Sequence, residues 1–160
     1  FVAFAIILED NGSVLYTAER IGKNGKHIYL IKFRSMSESQ EETITYVGRF
    51  LRATRIDELP QLWAVLRGDL SLIGPRPEIP CLVELYEQNI PYYNVRHLIK
   101  PGLSGWAQIH QGNPPKFGVQ YDETELKLSY DFYYIKNRSL LVDLKIALLT
   151  VKTLLSRSGL

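Results

Sequence analysis

The sequence is poor in cysteine: Cys81 is the only one in 160 residues. A single thiol closes no disulfide within the chain, and no cysteine spacing here makes a zinc set. A reducing compartment suits such a chain, with Cys81 expected as a small apolar residue in or near the core. Charge of one sign is also lacking. The net charge is only +2, so global charge gives no argument for a polyanionic partner. The cations sit beside acids and no nucleic-acid-binding motif is present, so nucleic acid is not an expected partner. There is no signal-peptide layout, no internal repeat and no linker. Long apolar runs are missing too. "FVAFAIIL" at the start has eight apolar residues, against the roughly 20 that a membrane-spanning helix needs. It reads either as a buried strand or helix end, or as the tail of a longer apolar segment. The second reading is preferred, because a globular protein seldom begins with a bare apolar run.

What is present is a chain of one-domain length with 46% hydrophobic residues, enough for a core. Val14–Arg20 and His27–Phe33 are rich in β-branched and aromatic residues and flank a turn at Gly22–Gly25, the pattern of a β-hairpin. A polar loop is expected over Ser37–Glu42. "TYVGRFLRATRI" reads as a helix with Val47, Phe50 and Leu51 on one face. "DELPQLWAVLRG" reads as a second short helix ending near Gly68. Prolines make "GDLSLIGPRPEIP" an extended loop. "CLVELYEQN" and "YDETELKLSYDFYYIKN" are helical. The last helix has Ser139 as N-cap and Gly159 as stop. Its stripe of Leu140, Leu141, Leu144, Leu148, Val151 and Leu155 is expected to pack in the core. The fold class is α+β: a mostly helical single domain over residues 1–160 with a small N-terminal β-hairpin.

The most informative stretch is "RIDELPQLWAVLRGDLSLIGPRPE". With Asp57 as N-cap of the second helix, Pro60 takes the third helical position and offers no N–H to the capping carboxylate. Asp57 would then stay partly uncommitted, and the helix dipole and the nearby Arg52 and Arg55 would favour its ionised form. Such a carboxylate is a candidate nucleophile. The surrounding arginines favour a phosphate electrophile, because guanidinium groups pair with phosphoryl oxygens. Glu58 is placed to hold a divalent ion, and Mg²⁺ takes one or two carboxylates plus substrate oxygens. Taken alone, the same residues describe an ordinary capped helix whose acids pair with surface arginines; the basic residues around them shift the balance.

In "GPRP", Gly74 permits close backbone approach, and two prolines restrict Arg76. The arginine either presents a pre-organised guanidinium or ties down carbonyls of a rigid loop. Lys32 and Arg34, two apart on the second hairpin strand, point to one face. That face is either solvated or one wall of an anion site. Arg96, His97 and Lys100 form a third basic group. Tyr92, Tyr93 and Trp106 lie among these bases, a mixture that suits a membrane interface or a packed core.

"KFRSM", the long central motif, "KPGLSGWAQI" and "YDFYYIKNRSLLVDLKIALLTV" together resemble the bacterial sugar transferase family, the monotopic phosphoglycosyl transferases that act on polyprenyl phosphates. The resemblance covers nearly the whole chain. It implies transfer of a sugar-1-phosphate from a nucleoside diphosphate sugar, usually a UDP-sugar, to undecaprenyl phosphate, with release of UMP. It implies that Asp57 is the nucleophile of a phosphosugar-enzyme intermediate and that Glu58 helps to bind Mg²⁺. Lys32, Arg34, Arg52, Arg76, Arg96 and Lys100 would be substrate contacts. It also implies attachment to the bacterial inner membrane with the catalytic domain on its cytoplasmic face, and a re-entrant membrane helix of which residues 1–8 are the remnant. In one respect the chain departs from the pattern. Many members follow "GWAQ" with a segment ending Asn-Gly-Arg. That arginine is absent here, and Lys116 is the candidate substitute.

Overall fold

The hairpin forms as its β-branched and aromatic runs around a glycine turn predict. In a computed structural model that describes residues 1–37, 43–111 and 119–155, β1 (Leu15–Ile21) pairs antiparallel with β2 (His27–Phe33). The turn places Asn24 at φ 55° and Gly25 at φ 74°, left-handed positions that Asn and Gly tolerate best. Ala18, Ile21, Ile28 and Leu30 are the buried hydrophobic residues of the ribbon, and it serves two clusters. Ile28 and Leu30 pack with Ala64 and Leu70. Ile21 packs with Val83, Tyr86, Ile90, Tyr93 and Leu128. Full burial of each large apolar side chain contributes about 1.5–3 kcal/mol, so the ribbon is the joint between the two halves of the core.

Helix α1 (Val2–Glu9) runs into α2 (Tyr46–Ala53) through side chains rather than sequence. The Glu9 carboxylate accepts from the Tyr46 and Val47 amides at 2.5 and 2.8 Å. Thr45 Oγ1 accepts from Gly48 N–H at 2.9 Å. Both acceptors satisfy orphan donors at the positive end of the helix dipole. Leu51 is buried, whereas Phe50, expected on the same inner face, is exposed. A 3₁₀ helix, Ile56–Gln61, leads into α3 (Leu62–Leu66). Next come α4 (Pro80–Asn89), a 3₁₀ turn at Tyr93–Leu98, α5 (Trp106–His110), α6 (Tyr121–Asn137) and α7 (Leu140–Leu155). The Val142 amide donates to Ser139 Oγ at 3.3 Å, so Ser139 caps α7 as expected. Gly159, residues 38–42 of the expected polar loop, and Lys116 lie outside the described residues.

Three expectations are overturned. The "GDLSLIGPRPEIP" segment is not merely a loop: β3 (Ser71–Ile73) pairs parallel with β4 (Gly102–Ser104). The strands are too short for their periodicity to be read, and the pairing depends on contact rather than pattern. A Cβ on Gly102 would stand 2.1 Å from Gly74 N, so only glycine lets the backbones meet. The α7 leucine stripe does not pack in the core. Leu140 is 84% and Leu148 63% exposed, while Ile146 is fully buried. Two residues along a helix is a turn of about 200°, so a helix that seats Ile146 must turn Leu144 and Leu148 outward. Finally, Cys81 is exposed rather than near the core. The opening run is helical, with Ile6 buried but Phe4, Ile7 and Leu8 exposed. Among the described residues, no helix is long and apolar enough to cross a membrane.

Candidate active site

Asp57 is not a helix N-cap. Arg55 takes that place, at φ 57° in the left-handed region, and Asp57 lies inside the 3₁₀ turn. A left-handed arginine is uncommon and costs roughly 1–2 kcal/mol. It reverses the chain between α2 and the turn, which then packs on β2. The consequence is burial: Asp57 is 7% exposed, and its Oδ1 has no hydrogen-bond partner among the described residues. Burial first, and then the neighbouring Glu58, push the Asp57 carboxyl above its ordinary value, while Lys32, Arg55 and Arg52 partly offset this. This reverses the expectation that capping and dipole would favour the charge. A carboxylate short of stabilisation is more basic and a better nucleophile when ionised.

Glu58 has the opposite environment. Its Oε1 accepts from Lys32 Nζ at 3.0 Å and from Arg76 Nη2 at 2.7 Å. Burial alone would raise its pKa, but the two cations outweigh it and hold the carboxyl well below the usual range. Thus β2, the 3₁₀ turn and the proline-flanked loop after β3 each supply one charged group to a single cluster. A cavity of about 80 Å³ lies beside it, lined by Arg20, Lys32, Gln61, Arg76 and Glu78 among others. Asp57 is not in that lining. Gln61, four residues after Asp57, is buried with its Nε2 unpartnered among the described residues.

The other basic candidates separate. Arg34 turns to Asp10, with Nη1 donating to the carboxylate at 3.1 Å and Nη2 to the backbone carbonyl. It therefore secures the end of α1. Arg52 donates from Nε to Ser35 Oγ at 2.8 Å. Lys100 is exposed and lines a different cavity. Arg96 is 2% exposed rather than part of a surface basic group. It donates to Asp131 Oδ2 (3.0 Å), Tyr93 OH (2.8 Å) and the Arg76 carbonyl (2.9 Å). Burial works against its charge, but Asp131, Tyr93 and Glu78 outweigh that and raise its pKa. Arg96 is a clamp on the Arg76 loop. Of the aromatics read as an interface mixture, Tyr93 is buried against Arg96 and Tyr92 is exposed. Trp106 stacks with His110 and with Tyr133, and Lys145 also approaches its ring.

Asp131, Lys127 and Glu78 were not singled out from sequence. Lys127 donates to Glu78, whose backbone carbonyl accepts from the Ile21 amide. The available signal was spacing: Lys127 and Asp131 are four apart on α6, beside the apolar Leu128. Charges at helical period on an apolar face mark a buried pair.

Comparison with known proteins identifies the family. The profile described as bacterial sugar transferase matches residues 1–157. A UDP-N-acetylgalactosamine-undecaprenyl-phosphate N-acetylgalactosaminephosphotransferase of Aeromonas hydrophila is 42% identical over 98% of this chain and 39% of its own length. A UDP-glucose:undecaprenyl-phosphate glucose-1-phosphate transferase of Escherichia coli (strain K12) is 38% identical over 94% of this chain and 34% of its own length. The Bacillus subtilis (strain 168) sugar transferase EpsL is 38% identical, with 99% of this chain and 78% of that protein aligned. The chain therefore spans little more than a third of the first two relatives. With the profile covering nearly all of it, the chain belongs to the bacterial sugar transferase family.

Proposed function

We propose that the protein transfers a sugar-1-phosphate from a nucleoside diphosphate sugar, of the UDP class, to undecaprenyl phosphate, as an early membrane step of surface glycan or exopolysaccharide assembly. The observation that carries this reading is the pairing of a buried, underbonded Asp57 with a Glu58 fixed between Lys32 and Arg76. An Asp57 oxygen attacks the phosphorus that bears the sugar, a P–O bond to the carboxylate forms, and the diphosphate P–O bond breaks to release UMP. A phosphate oxygen of the lipid then attacks the same phosphorus and frees Asp57. Lys32 and Arg76 offset the negative charge that would otherwise keep a phosphate away from a carboxylate. Because Asp57 is covered in this structure, substrate entry must expose it.

The donor set suits Mg²⁺ brought in with the diphosphate. Among the described residues no three ligating side chains form a metal cage, and Mg²⁺ is commonly held by one or two carboxylates plus substrate oxygens. Glu58 would be the group to hold it, and the unpaired Asp57 oxygen is a second carboxylate oxygen not already committed to a protein partner among the described residues. The ion, when bound, would neutralise phosphate charge.

The supporting names among the relatives are transferases from UDP-sugars to undecaprenyl phosphate. An acceptor of that kind supports a location at the bacterial inner membrane, and a sugar nucleotide donor supports a catalytic site on its cytoplasmic face. The test is UMP release by the full-length protein with a panel of labelled UDP-sugars, Mg²⁺ and undecaprenyl phosphate. Asp57→Asn should abolish turnover. Asp57→Glu, which moves the oxygen by about one methylene, should lose most of it, because rate depends steeply on placement. Full activity in purified Asp57→Asn would rule out the covalent route.

A further inference from the structure

A second, larger cavity lies away from the Asp57–Glu58 cluster and shares no lining residue with the cavity beside it. It has a volume of about 690 Å³ and sits between β3 and the first half of α7. Its walls are apolar, formed by residues such as Leu70, Ile73, Ile99, Leu144 and Ala147. Three cations from separate parts of the chain also line it: Lys23 at the hairpin tip, Lys100 before β4 and Arg138 before α7. Neither Lys23 nor Lys100 has a carboxylate within ion-pair distance among the described residues. The single acid of the lining, Asp143, accepts a hydrogen bond from Tyr134 OH at 2.7 Å. At the mouth, Leu72, Leu140 and Leu144 are exposed.

A groove with apolar walls and three cations complements a molecule that is anionic at one end and apolar at the other. A free phosphate would leave the walls unused, and a neutral lipid would leave the cations unused. We propose that this groove binds an anionic phospholipid of the bilayer, its phosphate among Lys23, Lys100 and Arg138 and an acyl chain along Leu144 and Ala147. Exposed leucines of α7 continue from the groove mouth, so the chain can enter from a membrane surface without crossing water. The proposal rests on the membrane location argued above but not on the chemistry of Asp57.

The test is thermal unfolding of the detergent-solubilised full-length protein, which requires neither turnover nor vesicle binding. Dihexanoyl phosphatidylglycerol should raise Tm saturably, because a ligand of the folded state stabilises it by mass action. Dihexanoyl phosphatidylcholine and inorganic phosphate should not. The Lys23→Gln, Lys100→Gln, Arg138→Gln triple variant should need at least about tenfold more phosphatidylglycerol for half-saturation. Ala147→Trp, which fills the groove and keeps the cations, should lose the saturable shift. An equal shift with phosphatidylcholine or with inorganic phosphate overturns the proposal, as does a triple variant that responds like the parent. Farnesyl phosphate saturating at about tenfold lower concentration than phosphatidylglycerol would assign the groove to the acceptor lipid and would equally overturn it. Failed membrane flotation with an intact phosphatidylglycerol shift would instead count against the location alone.

Discussion

Asp57 and Glu58 are adjacent in sequence, yet one is left short of partners and the other has two cations on a single oxygen. The 3₁₀ turn that contains both sets this division, since successive side chains point in different directions. Lys32 serves both acids: it pairs with Glu58 and also favours the ionised form of Asp57. Lys32→Met is therefore expected to lower kcat/KM by at least about tenfold while circular dichroism stays unchanged. A second titratable group offers a separate test. His97 is held down from its usual 6.5 to about 4, first by burial and then by Arg96. The unfolded chain binds that proton more readily than the folded one. Stability is thus complete above about pH 6.5 and falls as pH drops towards 4. The loss is at most about 3 kcal/mol. Denaturant midpoints measured across this window should fall with pH, and His97→Phe should flatten the dependence.

At the scale of elements, the Arg76 loop is held from behind by α6. Arg96 links Asp131 to the Arg76 carbonyl, so a helix remote in sequence sets the position of a site cation. Asp131→Ala leaves a buried guanidinium without its counter-charge and should cost about 3–5 kcal/mol in chemical denaturation. An Arg96→Met, Asp131→Leu double variant should recover much of that stability but not activity, because the Arg76 carbonyl still lacks its clamp. Equal recovery of both would show that the pair serves folding alone. The β3–β4 contact supports the same loop from its other end, since Gly102 N–H donates to the Pro75 carbonyl at 2.9 Å. Gly102→Ala forces a methyl into that contact and should destabilise by about 1–3 kcal/mol or more.

Over the whole molecule, exposed apolar side chains recur on α1, α2, α3 and α7. Isolated exposed leucines need no explanation, but repeated helical faces mark an interaction surface. A membrane interface suits them, and Leu141→Asp with Leu148→Asp should weaken flotation with vesicles while leaving the melting transition in place, since neither residue is in the core. If the double variant unfolds instead, the stripe has a packing role after all.

Much of this protein was legible in one dimension. β-Branched and aromatic runs around a glycine turn located the hairpin, capping chemistry located Ser139 at the start of α7, and the crowding of cations around the acidic pair pointed to Lys32 and Arg76. These features depend on neighbours within a few residues, where backbone geometry alone decides which side chains meet. What α7 buries, where Arg34 and Arg96 point, and how Asp57 loses its solvent were decided by segments far apart in the chain. A helical stripe states that one face is apolar without stating what covers it. A buried arginine needs its carboxylate, and here that partner lies 35 residues away. Local pattern settled which groups are charged and roughly where the chain turns; only the packed chain settled which charges are paired, because pairing and desolvation depend on contacts in space.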